Sequence, residues 1–285
     1  MRERFIPTDN GKIWSCVYGE GKEGIPLLVV HGGPGFLSMP QTVSDFSDER
    51  PVYFYDQLGC GKSDRASRDE LYSLETYADE LDTIRDELGL SEVILVGFSW
   101  GCGLICSYLL NKGLRGVKGL ILSGPLLSSP LWENDQRKNM TTLSNSAISA
   151  IEKGERDQEY GEEYGEAVNE YYRRFVCNLD PWPDYLISSM EKMNTDVYMR
   201  MWGLSEFTVT GSLKHFDLYP RLREIDVPVL LTCGDTDEAH VKTVKDFQDA
   251  FANACMAVIP DATHMHHIER PEIYKAAVNW FLRGL

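Results

Sequence analysis

The 285-residue chain has no apolar run approaching the roughly 18 continuous residues that cross a bilayer as a helix. Its start, Met1-Arg2-Glu3-Arg4-Phe5-Ile6-Pro7, lacks the apolar stretch of a secretory signal, so the cytoplasm is the expected compartment. Positive charge is scarce: 28 Lys and Arg face 44 Asp and Glu, a formal net charge of -16. Such a chain is repelled at long range by nucleic-acid backbones and anionic membrane surfaces, which excludes both as expected partners. Cys16, Cys60, Cys102, Cys106, Cys177, Cys233 and Cys255 are odd in number and include no CxxC pair, so neither a disulfide framework nor a zinc site is expected. Most should be reduced, buried, small apolar residues. Cys60 and Cys102 lie beside the motifs below, where inert packing competes with a thiol whose modification would crowd the site. No internal repeat or low-complexity tract is present.

With 43% hydrophobic and 25% charged residues, the chain is long enough to bury one sizeable core plus a smaller accessory element. Short apolar runs recur at Pro26 to Val30, Pro51 to Tyr55, Val93 to Val96 and Val117 to Leu122. Their length and β-branched and aromatic content predict buried strands of a largely parallel sheet. Between the second and third, Leu74, Tyr77, Ala78, Leu81, Ile84 and Leu88 recur at helical spacing. Strand, helix, strand is thus the repeating unit, and a doubly wound, mostly parallel α/β architecture follows.

That alternation stops after Gly124-Pro125. To about Lys214 the chain is rich in charge and aromatics and carries helical patterning. Strand signals return at Val227 to Thr232 and Met256 to Ile259, followed by a terminal helix from about Glu272 to Leu282. The expected organisation is a core in two parts, residues 1–124 and 215–285, interrupted by a helical insertion over 125–214. A structureless segment of that length is rare in a compact domain.

Gly97-Phe98-Ser99-Trp100-Gly101 falls between the strand at Val93 to Val96 and a predicted helix over Cys102 to Leu110. Small residues two before and two after the serine let a tight turn lift its hydroxyl above the sheet edge, which makes Ser99 a candidate nucleophile. A serine hydroxyl attacks well only when an imidazole takes its proton and a carboxylate orients that imidazole. Asp235 and Asp237 follow the strand ending at Thr232, and His264, His266 and His267 follow the strand ending at Ile259. Both clusters lie at strand carboxyl ends, where open α/β sheets place their sites, in the chain order Ser, Asp, His. No carboxylate or cysteine sits at ligand spacing beside the three histidines, so a metal is not expected. His31-Gly32-Gly33-Pro34-Gly35 follows another strand, and its glycines let main-chain amides approach a developing oxyanion. The amides of Gly33 and Trp100 are the expected donors.

His31-Gly32-Gly33-Pro34-Gly35, Tyr55-Asp56-Gln57-Leu58-Gly59-Cys60-Gly61-Lys62-Ser63-Asp64 and Gly97-Phe98-Ser99-Trp100-Gly101 together resemble the signatures of the proline iminopeptidase family of α/β-hydrolases. The similarity runs along almost the whole chain. It extends to Ser205-Glu206-Phe207-Thr208-Val209-Thr210-Gly211, which resembles the cap segment of the branch that contains the tricorn-interacting aminopeptidase. The resemblance implies an α/β-hydrolase fold with the insertion as a helical cap over the site. It selects Asp237, by the family's Gly-x-x-Asp pattern, and His264, by its place in His264-Met265-His266-His267-Ile268-Glu269-Arg270-Pro271. His266 and His267 then have surface or packing roles.

In that family one glutamate of the cap motif and one directly after the catalytic aspartate hold a substrate ammonium; here those positions are Glu206 and Glu238. A charge pair of that kind strengthens as the local dielectric falls. The chain departs from the commoner family pattern at Trp100, where Tyr or Gln is usual, and at Cys102. The Trp100 amide should still serve, while its indole is expected to shape the pocket.

The implied activity is a serine aminopeptidase that releases proline or another small or apolar N-terminal residue from short peptides or amino-acid amides. It would work through an acyl-enzyme and without a cofactor. A small-molecule esterase or amidase, and more remotely a non-catalytic binding protein of the same fold, are the alternatives. Trp132, Tyr198 and Trp202 are aromatics of the insertion that would line the pocket or pack its core.

Overall fold

The computed structural model describes residues 1–285. Eight strands form one sheet: β1 (Arg2–Thr8), β2 (Gly11–Tyr18), β3 (Leu27–Val30), β4 (Val52–Tyr55), β5 (Val93–Phe98), β6 (Val117–Ser123), β7 (Val229–Gly234) and β8 (Ala254–Ile259). Their spatial order is β1-β2-β4-β3-β5-β6-β7-β8. From β4 to β8 every neighbouring pair is parallel, whereas β2 runs antiparallel to both β1 and β4.

The β1–β2 hairpin is absent from the expectations above. β1 is exposed at its first four residues, Arg2, Glu3, Arg4 and Phe5, so no apolar run announces it. Its partners are instead set by the two-residue turn Asp9-Asn10, which pairs Thr8 with Gly11.

The four apolar residues of β3 and all six of β7 are buried, the signature of strands covered on both faces. α1 (Leu74–Glu87) turns Tyr77, Ala78, Leu81 and Ile84 onto one face and starts at Ser73, whose hydroxyl accepts from the Thr76 amide, satisfying one first-turn donor. α2 (Trp100–Lys112) is buried over its first ten residues.

Five helices lie between β6 and β7: α3 (Ser129–Met140), α4 (Asn145–Asp157), α5 (Glu162–Tyr171), α6 (Asp184–Glu191) and α7 (Thr195–Met201). A single π-helical turn, Tyr172–Val176, continues α5. Trp132, Val197 and Trp202 of this stretch join the main core, while Met140, Ile151, Tyr171, Phe175 and Phe207 form an apolar cluster of their own. The chain closes with α8 (Val241–Ala250), β8, the short α9 (His266–Glu269) and α10 (Pro271–Leu282). No helix is long and apolar enough to cross a membrane.

Candidate active site

Ser99 occupies the one-residue joint between β5 and α2, with φ 51° and ψ -118°. A side chain held there stores strain on the order of 1–3 kcal/mol, and the surroundings enforce it. The Ser99 amide donates to the Ser123 carbonyl at 2.9 Å, and its carbonyl accepts from Cys102 at 3.0 Å and Leu126 at 3.3 Å. Flanking glycines are required by close approach: a β-carbon on Gly97 would lie 2.8 Å from the Cys102 amide nitrogen, and one on Gly101 would collide with the Val30 carbonyl oxygen. Trp100 is the first residue of α2, so its amide has no intrahelical acceptor and sits at the positive end of the helix. The glycine turn after β3 comes close alongside: a β-carbon on Gly32 would stand 3.4 Å from that of Ser99.

Asp237 and His264, delivered by the turns after β7 and β8, meet at 2.8 Å from Oδ1 to Nδ1. Asp237 is fixed by the amides of Gly234 and Ala239, at 3.0 and 2.9 Å. Burial opposes its charge, but the rings of His264 and His266 hold its carboxyl well below the usual carboxylate range. Asp235 goes elsewhere: it accepts from the amides of Asp261 and Ala262 at 2.9 and 3.2 Å, tying the two turns together. Gly124, at φ 56°, makes room for the imidazole, since a β-carbon there would lie 2.5 Å from His264 Cε1.

The other two histidines are buried, not superficial. His266 Nε2 lies 2.9 Å from Thr232 Oγ1, and its Nδ1 lies 3.5 Å from Asp237 Oδ2. His267 leans on Phe98 at a ring separation of 4.3 Å and lines the cavity.

Ser99, Gly33, His264, Glu206 and Glu238 line one cavity between the carboxyl ends of the strands and the inserted helices. Glu206 Oε2 accepts from the hydroxyls of Tyr172 and Tyr198, each at 2.8 Å. Burial raises its carboxyl, and those two hydroxyls work against the rise. Glu238 Oε2 is 3.8 Å from His264 Nε2, while its Oε1 is buried without a partner. Burial, with Glu206 and Asp237 nearby, pushes Glu238 up to about 8. Two carboxylates so close in an apolar setting are costly without a cation to share.

Trp132, Tyr198 and Trp202 all line the cavity, with Trp132 edge-on to His264 at 5.6 Å. The Trp100 indole does not shape the pocket as expected. It is fully buried beneath it, donating from Nε1 to Gln57 Oε1 at 3.1 Å and meeting Phe216 edge-on.

Several supporting residues carry no local sequence signal. Glu269 accepts from the amide and hydroxyl of Thr263, at 2.5 and 2.6 Å, and from the Asn178 amide at 2.6 Å. The His264 and Met265 amides donate to Phe175 and Val176 in the π turn at 2.9 and 2.8 Å. Asn194 donates from its amide to Gly35 and from Nδ2 to Gly59, each at 2.8 Å, joining α7 to two glycine turns. Gly124 stands in the sequence only as the point where the strand-helix alternation stops.

The sequence pattern of the alpha/beta hydrolase fold matches residues 25–271. A proline iminopeptidase of Heyndrickxia coagulans is 38% identical over 286 aligned residues, covering 99% of each chain. The chain belongs to the proline iminopeptidase family of α/β-hydrolases. Within that family it is also 34% identical to the proline iminopeptidase of Clostridium botulinum, across 99% of this chain and 98% of that one. Among solved structures, the proline iminopeptidase of Mycobacterium smegmatis superposes with a TM-score of 0.89 at 29% identity, covering 99% and 98% of the two chains. VinJ superposes at 0.93 with 28% identity, covering 100% and 99%.

Proposed function

We propose that the protein is a serine aminopeptidase that releases an N-terminal residue, proline or another small or apolar one, from short peptides or amino-acid amides. One observation carries this reading: Glu206 and Glu238 line the same cavity as Ser99 and His264, and one buried Glu238 oxygen has no partner. A free α-ammonium satisfies both carboxylates and sets the adjoining carbonyl before Ser99.

In this reading His264 accepts the Ser99 proton as Oγ bonds to the carbonyl carbon. Asp237 stabilises the imidazolium and keeps Nδ1 as the donor. The amides of Gly33 and Trp100 receive the oxyanion. Collapse of the tetrahedral intermediate breaks the C–N bond, and His264 returns its proton to the leaving amine. Water, deprotonated by the same ring, then hydrolyses the acyl-enzyme and frees the amino acid.

Residues 125–214 serve as a cap, a role supported by their private apolar cluster and by the side chains they contribute to the cavity. The compartment proposed is the cytoplasm, in keeping with seven unpaired cysteines. A panel of aminoacyl p-nitroanilides and amides, with and without an N-terminal block, tests the proposal. Activity is expected on the free-amine members and its loss on blocking; equal turnover of blocked and free substrates would overturn the exopeptidase assignment.

A further inference from the structure

We infer that Gln57 is a positioning residue that clamps the two oxyanion-donating loops to each other, through His31 on one side and the Trp100 indole on the other. The inference rests on the proposed use of the Gly33 and Trp100 amides.

Gln57 follows β4, on neither loop, and is fully buried. Every polar atom it has for the purpose is engaged with one loop or the other. Its backbone N–H donates to His31 Nε2 at 3.0 Å, its side-chain Nε2 donates to the His31 carbonyl at 3.0 Å, and its Oε1 accepts from Trp100 Nε1 at 3.1 Å. The orientation of the amide follows from chemistry: an indole N–H only donates and a carbonyl only accepts, so the carboxamide fits one way round.

The same logic fixes the His31 tautomer. Because Nε2 accepts from Gln57, the ring proton is on Nδ1, and it donates to the Gly32 carbonyl at 2.8 Å. Burial holds the ring neutral by lowering its affinity for a second proton. The Gly32 carbonyl and the Gly33 N–H are opposite edges of one planar peptide. Holding the carbonyl from beneath therefore aims the amide, and polarises it. On the other loop, the indole of Trp100 anchors the residue whose own amide is the second donor. At this position the indole N–H supplies the donor that the buried Gln57 oxygen accepts from.

Two variants test the clamp. Gln57→Leu removes both side-chain bonds, while Trp100→Phe keeps an aromatic ring and the backbone amide and removes the N–H together with part of the buried indole's volume. Steady-state kinetics on a free-amine aminoacyl p-nitroanilide are expected to show kcat lowered about ten- to hundred-fold in each, with KM within about two-fold. The size follows because a displaced donor costs less than the 10²–10³ of a deleted one. The inhibition constant of an α-amino boronic acid, whose tetrahedral Ser99 adduct places an oxygen at the oxyanion site, should weaken by the same factor as kcat/KM. A merely structural role would not link the two. The double variant should be little worse than either single one, because both break one chain of contacts.

If folded Trp100→Phe, checked by its thermal transition, keeps kcat and boronate affinity within two-fold of wild type, the inference is overturned, whether or not Gln57→Leu folds. If Ser99→Ala retains turnover, it is instead the serine-hydrolase reading that fails.

Discussion

Tyr198 donates its hydroxyl to Glu206 at 2.8 Å, and the same glutamate oxygen takes a second hydrogen bond from Tyr172. With one carboxylate oxygen saturated by two phenols, Glu206 is pinned before any ligand arrives, and a substrate ammonium pays little to organise it. Glu206→Gln is expected to lower kcat/KM for free-amine aminoacyl substrates by about 100-fold, the weight of a buried charge-assisted pair. Hydrolysis of a simple acetyl ester should change less than about three-fold. Equal losses on the two substrates would remove the argument for amine recognition.

The titration of His264 supplies a second prediction. Burial works against charging the ring, but the Asp237 and Glu238 carboxylates outweigh it and push it up to about 9. In the proposed mechanism only the neutral ring accepts the Ser99 proton, so kcat/KM should rise with pH through the His264 value. Removing a negative neighbour 3.8 Å away destabilises the charged ring. In Glu238→Gln the acid limb, followed on an ester without an amine, should therefore move to lower pH, by on the order of one unit. An unmoved limb would separate Glu238 from His264.

Gly124 sets the imidazole's place by what it lacks. A methyl group there would stand 2.5 Å from His264 Cε1, on a backbone at φ 56°. Gly124→Ala should cost roughly 1 kcal/mol of stability from the backbone alone and lower kcat about 100-fold by displacing the ring. Chemical denaturation and steady-state kinetics report the two separately; a variant with wild-type kcat would mean that the site relaxes around the methyl.

The cysteines offer a simple check on accessibility. Six are buried and only Cys255 is partly exposed, and burial pushes the thiols of Cys60 and Cys102 well above the usual range. Of the two readings open for these residues in the sequence, inert packing is the one their burial supports. Iodoacetamide on the native protein is expected to modify at most one thiol and leave activity intact, with all seven reacting after denaturation. Mass spectrometry counts them, and early loss of activity with a label on Cys60 or Cys102 would reverse the conclusion.

What was legible beforehand shares a physical property. The parallel strands, α1 and the clusters holding Ser99, Asp237 and His264 each follow from residues adjacent in sequence: an apolar run, then a turn with reactive groups. The partners of Gln57, Asn194 and Glu269 are set by topology instead. Gln57 and Trp100 are 43 positions apart, and Asn194 and Gly59 are 135 apart, so no local window could pair them. The expectation that the Trp100 indole shapes the pocket fails for a physical reason. In a nucleophile turn the serine alone is lifted up, and its successor points down into the start of the helix. The β1–β2 hairpin gives no apolar-run signal at β1, whose charged residues face solvent and whose pairing is set by the Asp9-Asn10 turn.

Asn194 tests the seam between the inserted helices and the core. Its side chain does two jobs: Oδ1 accepts from the Asp196 amide at 3.1 Å as the N-cap of α7, and Nδ2 reaches the Gly59 carbonyl at 2.8 Å. Alanine loses a cap worth about 1 kcal/mol and leaves Gly59 without that donor, at about 1–3 kcal/mol. Asn194→Ala should thus destabilise the protein by about 2–4 kcal/mol, visible as a thermal midpoint several degrees lower. Asn194→Asp restores the cap but cannot donate to Gly59, so it should recover at most about half of the loss. Full recovery by aspartate would show that the cap alone matters, and that the bridge from α7 to the Gly59 turn contributes nothing to holding the helices over the cavity.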